Sequence, residues 1–344
     1  MRNFLFPIFI FIVSFSQAQQ SMIAFGSCAR QSDPLDIFDT IMTHHPTHFL
    51  FLGDNIYADT RDTAEMRLRY SILNDHTSYQ HLKDSTLIWA TWDDHDFGEN
   101  DAGSSYPMKK ESTELFYDFF QEPLSSERRT HEGIYTSYFI RDSGLVIQVI
   151  MLDTRYFRDE LLPYDDRMAK DTCYSYGLNY CPNYSRESTL LGEEQWVWLE
   201  KELEKPADVR LVCSSIQFAH SYNGYESWNN FPKEKKRFLK LLRKTKANGV
   251  MILSGDVHYA EISEVKIKRG YRLFDFTSSG LSSKWHRATP NTNRIQGPVM
   301  ENNFGLIYFT GVGSKKGPHV HFELYTLNNE RVMEFNYLLM YLKF

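Results

Sequence analysis

Four short apolar runs, each broken off by residues able to bind a metal, constrain this chain more than any other feature. They are IAFGSC, ending at Cys28; FLFLGD, ending at Asp54; LIWATWDDH, reaching Asp94 and His95; and VMILSGDVH, reaching Asp256 and His258. A short run that is apolar throughout reads as a strand covered on both faces. In open α/β sheets, ligands bind beyond the carboxyl ends of parallel strands. Four such strands lying as parallel neighbours would bring their terminal groups to one place. Several acids cannot be buried together unaided, because they repel one another and each loses its hydration. The pattern therefore calls for cations, and for more than one.

Details of the run ends point the same way. Gly53 and Gly255 precede two of the aspartates, and a missing Cβ lets backbone turn sharply and come close to an ion. Tyr57 lies three residues after Asp54, a spacing that puts both on one side of a turn. A phenol titrates near pH ~10, so it binds well only to a strongly Lewis-acidic ion. Ferric iron is the natural candidate, and a Cys28 thiolate suits the same ion. Each signal alone is weak. A Gly-Asp pair is also a common turn, and DDHD resembles a solvated acidic loop. Their conjunction in order is what carries weight. HHPTH, with His44, His45 and His48, precedes the second run; it belongs at the opposite edge of the sheet and reads as a solvated loop.

Helical patterns fill the gaps early in the chain, over Thr63–Asp75, Tyr79–Asp84 and MKKESTELFYDFF. GIYTSYFIRDSGLVIQVIMLD reads as a hairpin, and β runs follow one another from Leu273. That order predicts an α/β fold, with sheets covered by helices, parallel strands in the first half and antiparallel pairing later. No repeat or linker divides the 344 residues, so residues 19–344 read as a single domain. Residues 1–18 read as a signal peptide. Arg2 opens it, Phe4 to Val13 form its apolar stretch, and Ser16 and Ala18 put small residues at −3 and −1 of the cut. The expected location is periplasmic or secreted, with no stable membrane insertion after cleavage, since a span needs about 20 apolar residues. In such a compartment Cys173 and Cys181 are expected to pair, while Cys213 reads as a core thiol. A net charge of −6 without a basic block argues against nucleic acid as the main partner.

GSC, GDNIY, WDDHDFGEND and SGDVH, in that order, resemble the motifs of the PhoD-type alkaline phosphatases, in the calcineurin-like metallophosphoesterase superfamily. MLDTRYFR, LGEEQWVWLEKEL, YESWNNFPKEKKRFL and TSSGLSS match as well, so the resemblance runs from Phe25 to Ser283. It implies a four-layer αββα sandwich of two mixed sheets, with a metal centre at the strand ends. It implies iron (Fe3+) with a divalent ion, calcium or another, beside it. Cys28, Asp54, Tyr57 and Asp256 correspond to iron ligands, Asp54 bridges to the second ion, and Asp94 lies on that ion. His95 and His258 correspond to site histidines. ESWNNFP departs from the usual DxWxGYP pattern, at Glu226 and beyond.

The implied reaction is hydrolysis of a small phosphate ester, mono- or diester, by a metal-bound hydroxide. His95 would protonate the leaving oxygen or stabilise the transition state. Arg155 follows a strand and would contact phosphate oxygens, unless it is an ion pair pinning a loop. His220, at the end of SSIQFAH, is a further ligand or phosphate contact, or else a core histidine. A competing reading is an exported carbohydrate- or lipid-headgroup-binding protein with a structural or inactive metal site, suggested by an aromatic content of 15%.

Overall fold

The computed structural model describes residues 21–165, 179–221 and 224–344. The signal segment and the Cys173–Cys181 pairing fall outside the described residues.

The strands, in chain order, are β1 (Ile23–Gly26), β2 (His48–Leu52), β3 (Leu87–Thr91), β4 (Thr136–Asp142), β5 (Leu145–Met151), β6 (Leu162–Pro163), β7 (Tyr180–Cys181), β8 (Val209–Ser214), β9 (Val250–Ser254), β10 (Ala260–Lys266), β11 (Arg272–Ser278), β12 (Arg294–Val299), β13 (Asn303–Thr310), β14 (His319–Thr326) and β15 (Arg331–Leu338). One sheet has the order β15-β14-β13-β1-β2-β3, the other β12-β10-β11-β9-β8-β5-β4, and β6 pairs with β7 alone. Both large sheets are mixed. β1, β2 and β3 are mutually parallel, as are β5, β8, β9 and β11, while β13, β14 and β15 pair antiparallel.

Side-chain alternation explains the layers. On β1 and β2, Ile23, Phe25, Leu50 and Leu52 face the core between the sheets, where Phe276 of β11 stacks on Phe322 of β14 at 4.6 Å. Their neighbours Ala24, Phe49 and Phe51 face outward, onto Ile37, Phe38, Tyr79 and Leu82 of the covering helices. The second sheet is covered by helices Gly192–Glu204 and Pro232–Thr245, through Trp196, Leu199, Phe238 and Leu242. The result is helix, sheet, sheet, helix, the expected four-layer sandwich.

The four run ends are not on four neighbouring strands. β1, β2 and β3 lie side by side, but β9 belongs to the opposing sheet. The carboxyl ends still meet, because a bridge between Ser27 and Ser279 joins the sheets at that rim. His48 also departs from its expected solvated loop: it opens β2 and is buried.

Candidate metal centre

The backbone turns abruptly where the strands end. Cys28, Asp54, Asp256 and His258 all take positive φ, at 63°, 52°, 74° and 57°. Left-handed backbone costs a non-glycine residue about 1–2 kcal/mol, and such strain collects at functional sites. Gly53, at φ +105°, makes the turn before Asp54 possible; a Cβ there would lie 2.5 Å from the Cβ of Asp93. Gly255 allows the sheets to close, since its Cβ would lie 2.5 Å from Ser27 Oγ. The amides of Cys28 and Ala29 donate to the carbonyls of Gly53 and Asp54, which fixes the β1 turn against the β2 turn.

Two groups of donors form at this rim. Cys28, Asp54 and His258 offer ligand atoms all within 4.8 Å of one another, and so do Asp54, Asp94 and His95. Asp54 is common to both. Tyr57 joins them, its hydroxyl donating to Asp54 Oδ2 at 3.4 Å, as Cys28 Sγ does at the same distance. The backbone carbonyl of Asp256 is 3.7 Å from Cys28 Sγ.

The electrostatics are those of a site built for positive charge. Burial, then the charges of Asp94, Asp93 and Asp96, pushes the Asp54 carboxyl well above its ordinary range. Burial, then Asp93 and Glu226, does the same to Asp256. Burial and Asp54 raise the Cys28 thiol, and burial, Cys28 and Asp54 raise the Tyr57 phenol. Asp54 Oδ1 and Asp94 Oδ1 are buried with no hydrogen-bond partner among the described residues. Thiolate, phenolate and carboxylate are anionic donors whose mutual repulsion a bound cation relieves, so these residues fit a metal pair.

The two histidines are oriented from behind and titrate in opposite senses. His258 Nδ1 donates to the Ser283 carbonyl at 3.1 Å, which leaves Nε2 as its lone-pair nitrogen. Burial lowers its pKa and keeps it neutral. His95 Nδ1 lies 2.7 Å from Asp59 Oδ1. Burial alone would lower His95, but Asp59 and Asp94 outweigh it and push the imidazole up to about 9.

The expected ligand Asp256 belongs to neither donor group, and two further expected site residues fall elsewhere. Arg155 has no exposed surface, so in this arrangement it cannot touch a phosphate. Its guanidinium pairs with Asp93 at 2.5 Å and Glu226 at 2.8 Å, and comes within 3.8 Å of Asp94 Oδ1. It is a positioning residue beneath the centre. Glu226 also pairs with Arg158 at 3.3 Å, and burial, working against both arginines, pushes its carboxyl up to about 8. With burial opposing them, Arg155, His95 and the Asp101 amide hold Asp94 at about 2. His220 belongs to neither donor group. β8 stops at Ser214, six residues short of it, and His220 is buried with Nε2 3.3 Å from Thr289 Oγ1. Asp59, Asp93 and Glu226 were not singled out as site residues in the sequence; the first Asp of DDHD and the altered ESWNNFP were the available signals.

The model of the PhoD-like phosphatases matches residues 23–308, most of the chain. The chain belongs to the PhoD-like phosphatase family. Alkaline phosphatase D of Bacillus subtilis (strain 168) is 26% identical over 301 residues, covering 79% of this chain and 49% of that protein. This PhoD-like chain thus spans about half the length of the curated relative it matches. Among solved structures, PhoD is matched with a TM-score of 0.62 at 18% identity, over 91% of this chain and 72% of that one. A dimetal phosphatase from Danio rerio is matched with a TM-score of 0.53 at 13% identity, over 92% and 98%. GAP50, the anchor in the inner membrane complex of Plasmodium, is matched with a TM-score of 0.54 at 12% identity, over 92% and 88%. At these identities the three share the fold of this PhoD-like chain.

Proposed function

We propose that this chain is a metal-dependent phosphoesterase acting on small phosphate esters. The observation that carries the reading is Asp54, shared between two clusters of buried donors and holding a carboxylate oxygen without a partner. Cys28, Asp54, Tyr57, Asp256 and His258 would hold ferric iron; Asp54 and Asp94 would hold the divalent ion, which we read as calcium. When bound, the ions would supply positive charge to the phosphoryl oxygens and lower the pKa of a coordinated water.

The chain's own residues do the rest. Asp59 Oδ1, 2.7 Å from His95 Nδ1, keeps the imidazole oriented, and we read His95 as the proton donor. As a water oxygen bonds to phosphorus and the ester P–O bond breaks, the His95 proton passes to the leaving oxygen. Arg155, fixed between Asp93 and Glu226, keeps the Asp94 loop in place. We read the N-terminal segment as an export signal, and the acidic net charge as excluding nucleic acid as the main partner. No helix among the described residues is long and apolar enough to cross a membrane.

The test uses protein purified without chelator. It is expected to be coloured, as a phenolate bound to ferric iron absorbs visible light, and to release phosphate from 4-nitrophenyl phosphate. Tyr57→Phe should lose the colour and at least tenfold in rate. Colourless wild-type protein at full activity would contradict iron at Tyr57; wild-type protein with bound metal and no ester hydrolysis would contradict the function.

A further inference from the structure

One wall of the centre is the segment Gly280–Trp285, and it is bound to the donor-bearing turns along its length. Leu281 N donates to Ser27 O at 3.0 Å, Ser282 N and Ser283 N to Cys28 O at 3.1 Å, and Trp285 N to His258 O at 3.1 Å. Ser283 O is also the acceptor for His258 Nδ1. Trp285 is therefore held in fixed register with the centre. Its indole lies parallel to the His258 ring, 5.7 Å between centroids and 10° between planes. Tyr225 meets it edge-on at 5.6 Å and 69°. Tyr225 is itself the neighbour of Glu226, which Arg155 and Arg158 anchor. Trp285 nonetheless keeps 37% of its surface exposed. Lys284 and Arg287, also exposed, flank it in the chain and suit an anionic substrate.

A flat aromatic surface held parallel to a candidate ligand and partly exposed can serve as a stacking platform. We propose that Trp285, with Tyr225 at its edge, receives the ring of the leaving group. The chain would then favour phosphate esters of alcohols bearing a planar ring, aryl or nucleoside, over esters of alkyl alcohols. This specificity rests on the phosphoesterase reading.

The experiment compares metal-loaded wild-type protein with Trp285→Ala, Trp285→Leu and Trp285→Phe on 4-nitrophenyl phosphate, adenosine 5′-monophosphate and glycerol phosphate. In Trp285→Ala, kcat/KM for the ring esters should fall about tenfold relative to glycerol phosphate, mainly through KM. Trp285→Phe should keep most of the preference and Trp285→Leu should lose it, so that pair decides the matter if the alanine variant does not fold. A fall confined to one ring ester supports the platform and assigns its ring. Equal falls on all three esters, or none, overturn it. Wild-type protein that hydrolyses none of them, and not the diester bis(4-nitrophenyl) phosphate either, overturns the phosphoesterase reading, and the platform with it.

Discussion

Asp54→Asn is expected to lower phosphate-ester hydrolysis about a thousandfold, while leaving the metal-free protein at least as stable as the wild type. Asp54 is common to both donor groups, so the amide weakens both ions at once. A loss of about 4 kcal/mol of charge stabilisation in the transition state corresponds to that factor. The stability half follows from linkage. The folded pKa of Asp54 is raised above its unfolded value, first by burial and then by Asp94, Asp93 and Asp96. A carboxyl shifted in that direction costs no stability below its unfolded pKa, and the penalty grows as pH climbs from there toward the raised value. The metal-free wild type should accordingly melt at lower temperature at pH 8 than at pH 5. Asp54→Asn removes its share of that loss. Bound metal should reverse the trend: an ion at a hundred times its Kd adds about 2.7 kcal/mol. Melting curves with and without metal, for both proteins, check all three statements.

Arg155→Met is expected to destabilise the fold by about 3–5 kcal/mol. The guanidinium has no exposed surface and pairs with two carboxylates on different segments, Asp93 after β3 and Glu226 before helix Pro232–Thr245. Removing it leaves both acids buried without their main cation, beside Asp94, Asp54 and Asp256. The loss should therefore exceed that from an exposed pair such as Arg61–Glu99, worth about 0–1 kcal/mol. Glu226→Gln in the Arg155→Met background should recover part of it, because with Arg158 alone beside it Glu226 is a buried charge only partly compensated. A double-mutant cycle by denaturant unfolding measures that coupling.

How far the chain could be read follows from what each residue's neighbours are. The grouped donors were legible because buried strands leave an uninterrupted apolar record, and Cys28, Asp54 and Asp94 interrupt it sharply. Assignment of β9 to the opposing sheet was not legible, because a strand covered on both faces looks alike in either sheet. β12 was missed for the opposite reason: RIQGPV is polar, alternately exposed and broken by Gly-Pro, the marks of an edge strand. Arg155 shows where local reading stops. An arginine after a strand end can reach into a crevice or lie beneath it, and the choice is made by Asp93 and Glu226, far away in the chain. His220 was placed at a strand end because SSIQFAH stays apolar, but the chain has left β8 at Ser214. Trp285 gave no sign of its place, since its packing on His258 depends on four backbone bonds between distant segments.

The most direct test is metal content joined to activity. Protein purified without chelator should contain iron together with a second metal ion in each chain. Chelation should remove phosphate-ester hydrolysis, and returning the ions should restore it. Metal-free protein that hydrolyses phosphate esters as fast as before, unchanged when ions are added, would contradict a metal centre at Cys28, Asp54, Asp94 and Asp256.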